Sequence, residues 1–276
     1  MVIVDAHQHF WNLETDDYPW LTPDAGVLYR TYAPEHLAPE LAATGVQATV
    51  LVQAADSAAE TEAMLALADA HDFIAGVVGW IPLTDPGEAA RAIERYGSHR
   101  KFVGVRHLIH EEPDPDWLVR EGVLESLGVL ADSGLAFDVV SLLPRHLEHV
   151  VTLASRHPTL RIVIDHLSKP RIKEGVWQPW AEQLAAAAAF PNVYAKVSGL
   201  VTEADHADWT VEDLRPYVAH AVETFGPERL MFGSDWPVAL LAADYRTVYE
   251  TALALVGAEG RDQVFGGTAG RFYGFS

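Results

Sequence analysis

The chain has 276 residues, 49% of them hydrophobic, a formal charge of −20 and no cysteine. That length and apolar content suffice for one large core, while the absence of thiols excludes disulfides and thiolate metal sites, so any metal must be held by His, Asp or Glu. The acidity opposes nucleic-acid backbones and anionic lipid surfaces, and no basic cluster overrides it.

The first apolar run, residues 2–9, ends in His7-Gln8-His9-Phe10. It has no basic leader ahead of it, and no apolar run in the chain is long enough to cross a bilayer, so the protein reads as cytoplasmic. As a strand, the first run points His7 and His9 to one side and Gln8 to the other, which leaves two imidazoles on one face at its carboxyl end. Further apolar runs lie at Ala48–Gln53, Ile74–Ile81, Phe102–His107, Leu135–Leu142, Leu160–His166, Val193–Val197 and Leu230–Asp235. Between them lie amphipathic stretches with helix-start signals: Ser57, Thr84-Asp85-Pro86, Asp116, Pro144 and Glu212-Asp213. Gly134 and Gly226 fall where carboxyl-terminal caps belong, and Ala185–Ala189 reads as a helix end. Near-continuously apolar strands joined by helices imply parallel pairing with both faces covered. Eight in a row imply an α/β fold, a closed (β/α)8 TIM-type barrel, taken as a single domain over residues 1–276. The alternative, an open doubly wound sheet, lacks the Gly-x-Gly-x-x-Gly that would follow its first strand.

Barrel chemistry sits at the carboxyl ends of the strands, so polar residues closing an apolar run are the candidates. These are His7 and His9, Arg106 and His107, Asp165 and His166, Lys196, and Asp235. Alternation selects within the pairs. His166 shares a face with Ile162 and Ile164, Asp235 shares one with Met231 and the small Gly233, and Arg106 is preferred to His107 for the lumen. Asp5, on the face of His7, is expected to orient that ring. His107, His110 and His157 read as solvated or satisfied histidines. Trp11, Trp20, Trp80, Trp177 and Trp236 lie where indoles could stack on a sugar, with Trp236 and Trp11 preferred.

VDAHQHFW, GVRH, DHLSKP, VYAKVSG and RLMFGSDWPV, with TAGRFYGF at the end, resemble the amidohydrolase superfamily, in particular its sugar-lactone hydrolase branch with the L-fuconolactone, L-rhamnonolactone and pyrone-dicarboxylate lactonases. The resemblance covers nearly the whole chain. It implies the (β/α)8 fold, hydrolysis of a cyclic ester, catalytic positions at His7, His9, His166 and Asp235, and substrate contact at Arg106. The departures are informative: strand five carries Asp138 but no histidine, strand four has Arg106 where a bridging lysine would stand, and His146 and His149 come only on the following helix. A binuclear centre is therefore not expected.

Cyclic-ester hydrolysis needs a base for water, donors for the developing oxyanion and a proton for the departing ring oxygen. Asp235 is assigned as the base, with His7, His9 and His166 polarising the carbonyl. Arg106, Lys196, Trp236 and Trp11 are assigned to substrate binding, with Lys169 and Arg171 as possible additions. No cofactor is expected to be strictly required. At most one weakly bound divalent ion, zinc, is expected at His7, His9 and Asp235. The expected partner is a small-molecule lactone, with neither nucleic acid nor membrane; a homo-oligomer is left open. The competing reading is a metal-dependent amidohydrolase or decarboxylase of the same superfamily.

Overall fold

The computed structural model describes residues 2–15 and 17–275. Eight parallel strands pair in chain order: β1 (Val4–Gln8), β2 (Ala48–Val52), β3 (Ile74–Gly79), β4 (Phe102–His107), β5 (Ala136–Val139), β6 (Arg161–Ile164), β7 (Val193–Val197) and β8 (Leu230–Phe232). The ring closes just past the regular ladder. Asp235 N donates to His7 O at 2.8 Å and His9 N donates to Trp236 O at 2.7 Å, beside a parallel bridge between Gln8 and Trp236. These closing bonds belong to the residues that carry the candidate chemistry.

The barrel interior is filled by small and branched side chains, among them Val4, Ala6, Val50, Val52, Val78, Val163 and Met231. Outward-facing Leu51, Val77, Val105, Phe137, Ile162, Ile164 and Val197 pack beneath the helices. This two-sided burial is why the strands read as apolar runs rather than as alternating ones. Surrounding the sheet are α1 (Pro34–Thr44), α2 (Ala58–Ala70), α3 (Pro86–Tyr96), α4 (Glu121–Ser133), α5 (Pro144–Arg156), α6 (Trp180–Ala188), α7 (Val211–Phe225) and α8 (Tyr245–Asp262). A last helix, α9 (Thr268–Tyr273), sits against the amino ends of the strands, where the Arg161 guanidinium at the start of β6 donates to Phe272 O. No helix among the described residues is long and apolar enough to cross a membrane.

Two of the expected helix starts hold as caps. Ser57 Oγ accepts from Ala59 N and Glu60 N, and Asp85 accepts from Glu88 N. Asp116 does not start a helix: a short 3-10 turn at Trp117–Val119 intervenes before α4, and the Asp116 carboxylate instead binds Arg145 and His149 of α5.

Candidate active site

Three imidazoles and one carboxylate meet at the carboxyl end of the barrel. His7 Nε2 and His9 Nε2 are 3.2 Å apart. Asp235 Oδ1 lies 3.4 Å from His9 Nε2, 3.8 Å from His7 Nε2 and 3.9 Å from His166 Nε2. All four side chains are buried.

Each reaches this point by a different local route. His7 is carried by β1, and His9 lies just past its end, where its Nδ1 meets Val52 O at 2.7 Å. Asp235 follows β8 in the left-handed region, φ 57°, a conformation that Asp adopts at modest cost. Asp5 sets that turn. Its Oδ1 accepts from Ser234 N at 2.8 Å and from His7 N at 3.1 Å, while Oδ2 accepts from Tyr245 OH at 3.1 Å. Asp5 thus holds the backbone between β8 and β1, not the His7 ring as expected.

His166 arrives in the lumen for a reason different from the expected alternation. Ile162 and Ile164 face outward to the helices, and β6 ends at Ile164. The chain then takes four successive positive φ values, 53°, 49°, 62° and 47° from His166 to Lys169. Each costs roughly 1–2 kcal/mol for a non-glycine residue, and tertiary bonds offset this. Trp180 Nε1 donates to Leu167 O at 2.7 Å, Ser141 Oγ and Ser168 Oγ are 2.7 Å apart, and His166 Nδ1 meets Ser198 Oγ at 2.9 Å. The turn brings His166 inward beside Asp165, which pleating after Val163 already directs to the lumen. Two glycines make room: a Cβ on Gly199 would lie 2.6 Å from His166 Nδ1, and one on Gly233 would lie 2.6 Å from His7 Cβ.

Behind the imidazoles lies a buried ionic layer. Lys196 Nζ is 2.6 Å from Asp138 Oδ2, 3.0 Å from Asp165 Oδ1 and 3.0 Å from His7 Nδ1. Tyr273 OH donates to Asp138 Oδ2 at 2.8 Å. Arg106 Nη1 reaches Asp165 Oδ2 at 3.1 Å and His7 Nε2 at 3.3 Å, and Nη2 donates to Gln53 O. Lys196 is fully buried within this layer, so its assignment to substrate binding is corrected: it stands behind His7 and does not line the cavity.

Burial dominates the electrostatics and disfavours charged imidazole. The His166 pKa is lowered to about 4, with Asp235 and Asp165 opposing the shift; His7 and His9 are also lowered, His7 further by the Lys196 ammonium. Burial alone would raise Asp235, but His166, His9 and His7 around it outweigh that and hold it well below the usual carboxylate range. At neutral pH the cluster is three neutral imidazoles around one carboxylate.

These donors fit a single divalent ion. The 3.2 Å between His7 Nε2 and His9 Nε2 is close to the separation of about 3.3 Å that two zinc–nitrogen bonds subtend at a tetrahedral centre. His7, His166 and Asp235 also offer ligand atoms that all lie within 4.8 Å of one another, so His166 joins the expected set. Asp165 Oδ1, which Lys196 Nζ also meets at 3.0 Å, lies 3.3 Å from His7 Nδ1, where it would accept the proton of a His7 that coordinates through Nε2. Arg106 of β4 and Lys196 of β7 place two cations behind His7, which disfavours a second ion there.

His9, His166 and Asp235 of the cluster line a cavity of about 240 Å³ whose wall also includes Trp11, Trp20, Arg106, His110, Glu111 and Lys169. The indole N–H groups of Trp11 and Trp20 are used by Arg30 O and Ala54 O, so these residues present ring surface only. Trp236 does not line the cavity, contrary to expectation: its ring packs edge-on against Phe10 and Tyr32, because the closing bonds between β8 and β1 turn it into the aromatic layer. Arg171 is exposed beside Glu174. His107 is satisfied, stacked on Trp117 and bonded to Trp80 and Glu112. His110 and Glu111 were not among the expected site residues; their position just past β4 is the signal that would have found them.

The amidohydrolase family profile matches residues 4–275. The chain is 39% identical to an L-fucono-1,5-lactonase of Burkholderia ambifaria, covering 98% of this chain and 94% of the relative, and 38% identical to one of Burkholderia multivorans at 98% and 95%. A crystal structure of an amidohydrolase from Burkholderia multivorans with bound zinc superposes with a TM-score of 0.93 at 35% identity, over the whole of both chains. With the barrel and its strand-end histidines in place, these matches over nearly the full length establish that the chain belongs to the amidohydrolase family.

Proposed function

We propose that this protein hydrolyses the cyclic ester of a sugar-acid lactone of the L-fuconolactone or L-rhamnonolactone kind. The observation that carries the reading is the convergence of His7, His9 and His166 on Asp235 Oδ1 beside a cavity that His9, His166 and Asp235 line. The naming of two full-length relatives as L-fucono-1,5-lactonases supports it.

Asp235 is ionised at neutral pH and takes a proton from water as the water oxygen bonds to the carbonyl carbon. Breakage of the ring C–O bond returns that proton from Asp235 to the departing ring oxygen, which balances the reaction. The roles of the imidazoles follow from their other nitrogens. His9 Nδ1 donates to Val52 O, which leaves its Nε2 as an acceptor facing Asp235 and His7. His7 Nδ1 accepts from Lys196 Nζ, which puts the proton on Nε2, where it serves the carbonyl oxygen. His166, with Ser198 donating to Nδ1, presents Nε2–H on the same side. When bound at His7, His9, His166 and Asp235, a divalent ion would supply Lewis-acid polarisation. An ester has a better leaving group than an amide, so the protein's own donors suffice for a lactone, and the ion is not strictly required.

The deciding experiment is a pH-indicator screen of purified protein against 1,4- and 1,5-aldonolactones, with amide and aromatic carboxylate controls. Turnover confined to lactones is expected. Turnover of the amides or decarboxylation of the carboxylates, dependent on added zinc, would move the assignment to the metal-dependent alternative.

A further inference from the structure

The carboxyl-terminal helix reaches the ionic layer behind the histidines from the far end of the barrel. Phe272 and Tyr273 of α9 pack against Val4, Val50, Val78 and Met231 and plug the amino end of the lumen. Phenylalanine would fill the place of Tyr273 as well, and a phenol is buried at a cost unless its hydroxyl is bonded. Here the hydroxyl donates to Asp138 Oδ2 at 2.8 Å. Burial, then the Asp138 and Asp165 carboxylates, hold the Tyr273 pKa well above the ordinary tyrosine range, so the hydroxyl remains a donor.

What that bond controls is the seat of Lys196. The ammonium has three N–H groups and meets three acceptors: Asp138 Oδ2 at 2.6 Å, Asp165 Oδ1 at 3.0 Å and His7 Nδ1 at 3.0 Å. Asp165 is braced from its other side by Arg106 at 3.1 Å. Asp138 relies on Tyr273 for the same service: Lys196 and Tyr273 share its Oδ2, and its Oδ1 has no hydrogen-bond partner among the described residues. The Lys196 ammonium also lies 5.7 Å from the centre of the Tyr273 ring.

The seat matters because the surroundings of His7 are divided between its two tautomers. At Nδ1, Lys196 Nζ donates from 3.0 Å, while Asp165 Oδ1, 3.3 Å away, would accept a proton. At Nε2, His9 Nε2 is an acceptor at 3.2 Å and Arg106 Nη1 a donor at 3.3 Å. Lys196 is the nearest of these neighbours, so its placement decides whether the proton sits on Nε2, toward the carbonyl, or on Nδ1, toward Asp165.

We propose that Tyr273 is a positioning residue: through Asp138 and Lys196 it fixes the Nε2–H tautomer of His7, so that the last helix of the chain completes a site at the opposite end of the barrel. Its consequence for turnover rests on the lactonase reading above; the tautomer itself does not.

Tyr273→Phe removes one oxygen and leaves the ring that plugs the barrel, so the fold is retained. The variant is expected to lower kcat for a 1,5-aldonolactone about tenfold, with KM changed by less than about twofold. In the Lys196→Met background the same substitution is expected to change kcat by less than about twofold, because no ammonium is left to place. Nitrogen NMR of protein labelled with 15N at histidine, after dialysis against a chelator, follows the tautomer directly. His7, assigned by the loss of its signals in His7→Asn, is expected in the Nε2–H form in wild type and as a mixture of both forms in Tyr273→Phe. Unchanged His7 signals, a Tyr273→Phe kcat within about twofold of wild type, or an equal loss in both backgrounds would overturn the proposal, the last being what a purely packing role gives. A wild-type protein without lactone turnover would overturn the hydrolytic reading alone, and the tautomer comparison would still decide this proposal.

Discussion

Replacing Lys196 with Met tests whether the buried ionic layer is what holds His7 in its working tautomer. The ammonium is fully buried between Asp138 and Asp165, which are themselves fully buried. Removing one partner of such an arrangement leaves uncompensated charge and costs about 3–5 kcal/mol. The lower end is expected here. Burial raises the Asp138 pKa to about 6 even against the Lys196 ammonium, so without that ammonium Asp138 takes up a proton and the residual charge is Asp165 alone, still bonded to Arg106. At roughly 2–4 °C per kcal/mol for a chain of this size, Tm should fall by about 10 °C at pH 7. His7 Nδ1 loses its donor, so kcat should fall more than KM rises, because the group affected serves the oxyanion. Thermal melts and lactone kinetics on Lys196→Met, Asp138→Asn and the double variant complete the measurement. The double variant should be less destabilised than the sum of the singles by more than about 1 kcal/mol, since the two groups share one bond. A Lys196→Met protein that melts within 2 °C (about 1 kcal/mol) of wild type, or strict additivity, would refute the reasoning.

Asp235→Asn should lower lactone turnover by roughly 100- to 10,000-fold with the fold retained, since Asn tolerates the φ of 57° but cannot take the proton; near wild-type kcat would remove Asp235 as the base. Arg106→Met should raise KM more than it lowers kcat, and the loss of its bonds to Asp165 and Gln53 should also lower Tm; a fall in kcat with KM untouched would place Arg106 in the oxyanion site instead. Burial raises the Glu60 pKa from 4.5 to about 7, against hydrogen bonds from Ala55 N and Ala54 N. The folded protein therefore holds this proton more tightly than the unfolded chain, and the stability it contributes is full below pH 4.5 and lost as pH rises to 7, by up to about 3 kcal/mol. Urea melts of wild type against Glu60→Gln between pH 5 and 8 should show the wild type losing ground as pH rises; a pH-independent difference would be inconsistent with this. Dialysis against a chelator should remove any zinc while lactone hydrolysis persists, followed by elemental analysis and rate on the same samples; loss of activity restored by added zinc would make the ion essential.

The barrel was legible because both sheet faces are buried, so each strand announces itself as an apolar run, and Phe102–His107 and Val193–Val197 match β4 and β7 residue for residue. The convergence of His7, His9 and Asp235 was legible for a related reason: barrel closure forces the ends of β1 and β8 together, and a histidine pair at one end faces whatever polar residue ends the other. The starts of α1, α6 and α8 were not read. The residue before α1 is Ala33 and that before α6 is Pro179, neither of which makes a side-chain cap, and Pro39 interrupts the pattern of α1. α8 did carry a signal, Asp244 accepting from Thr247 N.

His166 shows where periodicity stops being informative. Alternation chose it on the assumption that β6 runs through residue 166, with Ile162 and Ile164 facing the lumen. Those two face the helices, and continued pleating would have carried His166 outward with them. It reaches the lumen because the strand stops and four residues turn left-handed, an arrangement no local preference of His, Leu, Ser or Lys favours. The contacts that hold the turn come from Ser141, Trp180 and Ser198, on other parts of the barrel. The same turn explains why choosing one member of the Asp165-His166 pair was the wrong question: strand geometry permits one inward side chain of two neighbours, whereas this turn admits both. His166 thereby faces Asp235 while Asp165 braces His7, Lys196 and Arg106 from behind. Strain at this position is thus tied to having a reacting group and its support supplied by adjacent residues, and relieving it with glycine at Leu167 would be expected to loosen both at once.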